Sequence, residues 1–145
     1  MRFLVIRKAD TQTEAEDIPT PELFKQMGDY MQEMAAAGVL VSGEGLQPSR
    51  KGARLKFHGG RPEIIDGPFA ETKELVAGFS IIEVASKEEA IAWCKKWPPL
   101  DGNGEVALEI RQIYEADDFG EAFTPEERER EERMRAELAA RAKQN

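Results

Sequence analysis

Asp66-Gly67-Pro68-Phe69-Ala70-Glu71-Thr72-Lys73-Glu74 separates two apolar runs, Ile64-Ile65 before it and Val76 to Val84 after it. Asp, Gly and Pro in succession suit a tight turn. An Asp side chain bonds its own backbone two residues on, Gly accepts unusual φ, and Pro fixes φ. Four ionisable groups then share one loop: Asp66, Glu71, Lys73 and Glu74. Loops held by a rigid scaffold are where binding and catalytic groups concentrate. The same residues also fit a plainer role, with Asp66 capping the turn and the other charges in water.

The flanks say what kind of scaffold this is. Val76 to Val84 carries the strongest strand signal in the chain. Ala53-Arg54-Leu55-Lys56-Phe57 alternates apolar and basic, and His58-Gly59-Gly60-Arg61 turns the chain back through Pro62 to Ile65. This predicts a β-hairpin projecting toward the Asp66 loop. His58, the only histidine, falls at its tip and is expected to be exposed. Upstream, Val39 to Leu46 reads as a strand interrupted by Gly43 and Gly45. Glycine there marks a bulge or the close approach of something else, which makes Glu44 between them a second site candidate.

The remaining elements complete a pattern. Arg2 to Arg7 predicts a central strand, apolar on both faces. Residues 9–19 read as an acidic loop. Thr20-Pro21 opens a helix with Thr as N-cap and Pro at the first position. Its stripe is Leu23, Met27, Tyr30, Met31 and Met34, and Gly38 stops it. That stripe is expected to pack in the core, the alternative being a methionine-lined pocket. Ser86-Lys87-Glu88-Glu89 matches a capping box before a second helix with Ala90, Ile91, Cys94 and Trp97 inward, ended by Pro98-Pro99. Glu105 to Tyr114 alternates as a last strand, with Val106, Leu108 and Ile110 on one side and Glu105, Glu109 and Arg111 on the other. From Thr124 a charged helix begins, holding six Glu and six Lys or Arg. Four i,i+4 pairs with Glu leading support it: Glu126/Arg130, Glu129/Arg133, Glu131/Arg135 and Glu137/Arg141.

Strand, helix, strand, hairpin, strand, helix, strand is a ferredoxin-like βαββαβ unit with an inserted hairpin, an α+β fold. The expected division is a domain over residues 1–116 and a helical tail over 117–145. Two helices cover one face of the sheet. Phe3, Val5 and part of Val76 to Val84 are expected on the other face, where a second copy would cover them as a C2 homodimer.

Bulk properties narrow the partners. The chain has 145 residues and a formal net charge of -8, so nucleic-acid backbones should be repelled. No apolar run is long enough to span a bilayer, and residues 1–8 are too short for a signal peptide. The cytoplasm is the default compartment. Cys94 stands alone, so no intrachain disulfide or cysteine metal site forms; no metal or cofactor is expected.

Asp66 to Glu74 resembles the hallmark of the DGPF group of the YCII-related family. The resemblance runs from Arg2-Phe3-Leu4-Val5-Ile6 to about Tyr114, and includes Gly43-Glu44-Gly45-Leu46 and Gly78-Phe79. It implies a dimeric α/β barrel. It also implies chemistry at an acidic residue, paired in some members with a His. Asp66 matches the motif's Asp, while His58 lies outside the motif. Asp66 with Glu71, or with Glu44, would then be the catalytic carboxylates, one raised in pKa by the other or by burial. Glu44, Pro68, Phe69, Lys73 and Phe79 would bind the substrate, Lys73 holding an anionic group. By analogy with other dimeric α/β barrels, the reaction would be proton transfer on a small carbonyl compound. The alternative is a non-catalytic binding or regulatory module, since the resemblance also implies association with extracytoplasmic-function sigma factors, the charged tail being the contact surface.

Overall fold

Four strands form one antiparallel sheet in the computed structural model, which describes residues 1–144. They are β1 (Arg2–Lys8), β2 (Leu40–Gly45), β5 (Val76–Glu83) and β6 (Leu108–Gln112), in the order β2-β5-β1-β6. The inserted hairpin, β3 (Ala53–His58) and β4 (Arg61–Asp66), is a separate two-stranded sheet. Without it the strands lie 2-3-1-4, the order of a ferredoxin-like unit. The long helices are α2 (Pro21–Ala36), α3 (Lys87–Cys94) and α4 (Pro125–Gln144). A single helical turn, α1 (Thr11–Glu14), lies where the sequence reads as loop. Its signal is Asp10, whose carboxylate accepts from Thr13 N while Thr13 Oγ1 accepts from Asp10 N, a box with Thr in the place usually held by Glu or Gln.

Both sheet helices pack on one face. The core there joins Phe3, Val5 and Ile82 to Tyr30 and Met34 of α2 and to Ala90 and Cys94 of α3. Phe3, Met34 and Ile82 are each 1% exposed, and burying each stabilises by about 1.5–3 kcal/mol. Tyr30 Oη donates to Trp93 O at 3.0 Å, tying α2 to α3. This corrects the expected phase of β1. Phe3 and Val5 are core residues paired with Ile82 and Ser80. Leu4 and Ile6, paired with Ile81 and Phe79, alternate to the uncovered face. A strand apolar on both sides gives no phase of its own; the partner strands decide it.

Smaller differences have local causes. Ile91 is exposed rather than inward. Glu89 reaches past its cap to accept from Ala85 N, while Ser86 Oγ accepts from Glu89 N as expected. Burial pushes the Cys94 thiol up to about 11, so it is an unreactive core group. In the hairpin, both Gly59 and Gly60 take positive φ, 56° and 80°, the conformation a two-residue turn requires. Leu55 and Phe57 share a face with Ile64 and Pro62, and Leu55, Phe57 and Ile64 are 56%, 65% and 68% exposed. The sheet does not close into a barrel.

The chain divides into two compact units, the first ending at Ile113, three residues before the expected boundary. The second unit starts at Tyr114 with an irregular 3₁₀ stretch, Ala116–Ala122, before α4. Arg128 holds that stretch, donating to Asp117, Ala116 O and Phe123 O. No described residue of α4 is buried. Of the expected pairs, Glu129–Arg133 and Glu131–Arg135 form, while Arg130 turns to Glu127 at i,i+3.

Candidate functional site

On the face of the sheet toward α2, side-chain volume runs out in one direction. The row of Leu40, Ile82 and Phe3 is filled with large groups. The next holds Gly43, Ser80 and Val5, and the one after it Gly45, Gly78 and Arg7. The N-terminal turns of α2 pass over this emptied end. Leu23, Phe24, Met27 and Met31 roof a cleft of about 340 Å³ whose floor includes Gly43, Gly45 and Gly78. The methionine stripe therefore serves both roles weighed for it. Met34 is core, and Met27 and Met31 also border open space.

The glycines are there for different reasons. A Cβ on Gly78 would stand 3.1 Å from Glu44 O, so close pairing of β5 with β2 favours glycine. A Cβ on Gly43 would meet Met31 Cε at 3.7 Å, ordinary contact. A Cβ on Gly45 would meet nothing within 4 Å. Gly45 is thus a position where the chain leaves room without needing it for packing.

One end of the cleft is polar. Arg7, 7% exposed, donates Nε and Nη2 to the two carboxylate oxygens of Asp101 at 3.0 and 2.8 Å. Its Nη1 donates to Asp10 Oδ2 at 3.0 Å and to Lys8 O at 2.8 Å. Trp97 Nε1 donates to Asp101 Oδ2 at 2.9 Å. The loop carrying Asp101 closes tightly on this cluster. Gly102 has φ +56°, and a Cβ there would lie 2.8 Å from Val106 Cγ2. Burial acts to raise the Asp10 carboxyl, but the Thr13 amide and the Arg7 guanidinium together hold it below its ordinary range. Arg7, Thr13, Trp97 and Asp101 all line the cleft. None of these residues carries a sequence motif. Arg7 and Asp101 are 94 positions apart, and β1 carries charged residues at both ends, Arg2, Arg7 and Lys8, so nothing local singles Arg7 out.

The expected site residues separate. Glu44 and Phe79 are direct partners across β2 and β5, and both border the cleft. Their Cβ atoms stand on the opposite pleat from Gly43, Gly45 and Gly78. Asp66, Glu71, Pro68, Phe69 and Lys73 are not among the residues lining it. Asp66 ends β4 opposite Ala53 and is exposed. Glu71 and Lys73 are exposed too, and among the described residues no hydrogen bond or ion pair joins Asp66, Glu71 and Lys73. His58 is exposed at the hairpin turn.

What the Asp66 loop does in the fold is hold the hairpin to α1. Phe69 N donates to Ser49 Oγ at 3.1 Å, and Ser49 N and Oγ donate to the two Glu14 carboxylate oxygens at 3.0 and 2.5 Å. Gly67 N donates to Gly52 O at 3.0 Å. A Cβ on Gly67 would fall 1.7 Å from Ser49 O. The Arg54 guanidinium lies 4.0 Å from the centre of the Phe69 ring, a cation–π contact. Glu16 pairs with Arg50 and Lys51 of the same 3₁₀ turn, Ser49–Lys51. The acidic stretch before α2 is thus an anchor for the hairpin base. Among the described residues, no group of three or more His, Cys, Asp or Glu side chains is placed to hold a metal ion, and no helix is long and apolar enough to cross a membrane.

The sheet order, the two helices on one face and the cleft between α2 and the glycine-rich strands define a ferredoxin-like α+β domain with a ligand-sized opening under its first long helix. The chain belongs to the YCII-related domain family, whose model matches residues 1–129, past the boundary between the two compact units. It is 33% identical over 87 residues to the uncharacterized protein R00369 of Rhizobium meliloti, covering 58% of this chain and 70% of that one. Among solved structures it is similar to 5-chloro-2-hydroxyhydroquinone dehydrochlorinase from Burkholderia phenoliruptrix in complex with 2,5-dihydroxybenzoquinone. That match has 18% identity and a TM-score of 0.44, covering 79% of this chain and 94% of that one. Neither the family description nor that of the Rhizobium relative names a sigma factor.

Proposed function

We propose that the cleft beneath α2 binds a small, predominantly apolar molecule. The observation that carries this is the glycine row. Two facing strands omit side chains where a helix passes over them, and the space is left open rather than filled from α2. Its volume, about 340 Å³, falls at the lower end of the range that ligand sites take, roughly 300–1,000 Å³. Of the expected residues only Glu44 and Phe79 border this cleft, from positions whose side chains alternate to the other face, and the Asp66 loop is read as the clamp of the hairpin. Asp101 is committed to Arg7 and Trp97. Glu44 borders the cleft but stands on the opposite pleat, so the reading is one of binding rather than of proton transfer. A reaction using Asp66 and Glu71 would instead have to assemble on the exposed loop.

Gly45→Val tests the binding reading. A Cβ there meets nothing within 4 Å, so stability should stay within about 0.5 kcal/mol of the parent. In a thermal-shift screen of small metabolites, compounds that raise the parent's midpoint should lose that effect in the variant. Undiminished shifts in Gly45→Val would place the ligand elsewhere.

We propose further that two copies pair as a homodimer across the uncovered sheet face. Leu4, Ile6, Phe79 and Ile81 occupy its centre, and the hairpin, a separate sheet, leaves Leu55, Phe57 and Ile64 exposed. An isolated hairpin with a bare apolar face is marginally stable, and burial of both surfaces is the simplest remedy. Sedimentation equilibrium should give about twice the 16.3 kDa chain mass. A monomer at micromolar concentration would overturn the pairing.

A further inference from the structure

We infer that the cleft selects neutral or cationic ligands and rejects carboxylates and phosphates of the same shape. This rests on the binding reading above and adds the charge class of the ligand. A buried arginine at the end of an apolar cleft would ordinarily suggest an anion site, because guanidinium pairs with carboxylate and phosphate in a two-pronged geometry. Here that capacity is already used. Arg7 makes the two-pronged pair with Asp101 and gives a third and a fourth N–H to Asp10 and Lys8 O. A guanidinium has five N–H donors in all, so four are engaged within the protein.

The charge sum points the same way. One guanidinium faces two carboxylates, Asp101, which lines the cleft, and Asp10, which does not, so the cluster at this end carries a formal charge of one negative unit. The walls, Leu23, Met27, Met31 and the glycine backbones, supply no cation. An anionic ligand would lose its hydration among apolar groups and face net negative charge with a single guanidinium N–H left to meet it, too few for a two-pronged pair. A neutral ligand meets only the apolar walls. A cation gains from the excess carboxylate.

Three probes of one shape separate the classes: 2-naphthylmethylamine, 2-naphthylmethanol and 2-naphthoate, titrated calorimetrically into the full chain at pH 7. The amine is expected to bind at least as tightly as the alcohol, and the carboxylate at least ten-fold more weakly than the alcohol. Gly45→Val should weaken amine and alcohol together, which locates them in the cleft. Asp10→Asn keeps the helix cap, since Asn caps as well as Asp, and removes one charge. In that variant the carboxylate should gain several-fold in affinity. If no probe binds the parent, the cleft is not a ligand site and both readings fall. If the carboxylate binds as tightly as the alcohol and Gly45→Val weakens it, the cleft stands as a site and the charge inference is overturned. An Asp10→Asn variant that leaves carboxylate affinity unchanged overturns it as well.

Discussion

Gly67→Ala should destabilise the chain by about 3–5 kcal/mol, at the upper end of what single substitutions do. The expected cause is a backbone collision. The new Cβ would sit 1.7 Å from Ser49 O, 2.5 Å from Ser49 C and 3.0 Å from Arg50 Cα. No side-chain rotation relieves contact with main-chain atoms, so one segment must move. Ser49 is poorly able to yield. Its amide and hydroxyl are both held by Glu14, and its hydroxyl also accepts from Phe69 N. Moving it forfeits three hydrogen bonds at once, each about 1 kcal/mol net. Moving the Gly67 strand end instead breaks its bond to Gly52 O. Urea denaturation of the variant beside Gly45→Ala provides the check. Gly45→Ala adds the same methyl group where nothing lies within 4 Å and should be close to neutral. A loss below about 1 kcal/mol for Gly67→Ala would mean that the clamp yields easily and is not what fixes the hairpin.

That clamp shows where reading the sequence stops. Asp-Gly-Pro-Phe is legible as a turn, and its composition draws attention to the charged members. The structure places weight on the quiet ones, the missing Cβ of Gly67 and the amide of Phe69. Their partners, Ser49 and Glu14, sit in stretches with no pattern of their own, and nothing local connects them to residue 67. Strands, helices and the hairpin were legible because each is specified by its own periodicity, caps and turn residues. Gly43 and Gly45 read as a bulge or a close approach, but the register shift lies between Leu40 and Ser42 and a Cβ on Gly45 would meet nothing within 4 Å, so what these glycines leave is open space. That the opening lies under α2 needs the pairing of Gly45 with Gly78, on strands with two others between them in sequence. The phase of β1 failed for the same reason. Phe3, Leu4, Val5 and Ile6 are all apolar, and only Ile82 and Ser80 on the neighbouring strand show which pair faces the helices. Long-range contacts, not local chemistry, are what the sequence withheld.

Arg7→Met should cost about 3–5 kcal/mol, the loss typical when one member of a buried ion pair is removed. Arg7 and Asp101 have side-chain exposures of 8% and 13%, with Asp10 at 28%. Methionine fills much of the same volume, so the loss reports charge and hydrogen bonding more than a cavity. Two carboxylates would remain, close together and without their cation. Asp101→Asn alone should also destabilise, while the double variant Arg7→Met, Asp101→Asn should lose less than the sum of the two single losses, because the second change removes a charge that the first left unpaired. Acid behaviour supplies an independent readout. Asp10 is held below its ordinary value of 3.8 in the folded chain. A carboxyl with a depressed folded pKa contributes stability that is fully present above the unfolded value and is lost as pH falls through the folded one. The parent should therefore lose stability on acidification below about pH 4. In Arg7→Met the pull on Asp10 is weaker, so less of its stability is present at pH 7 and less remains to be lost. Urea midpoints at pH 7 and pH 3 measure this directly. The gap between parent and variant should narrow at pH 3, and a gap of equal size at both would mean that Arg7 acts through packing rather than through the carboxylates it holds.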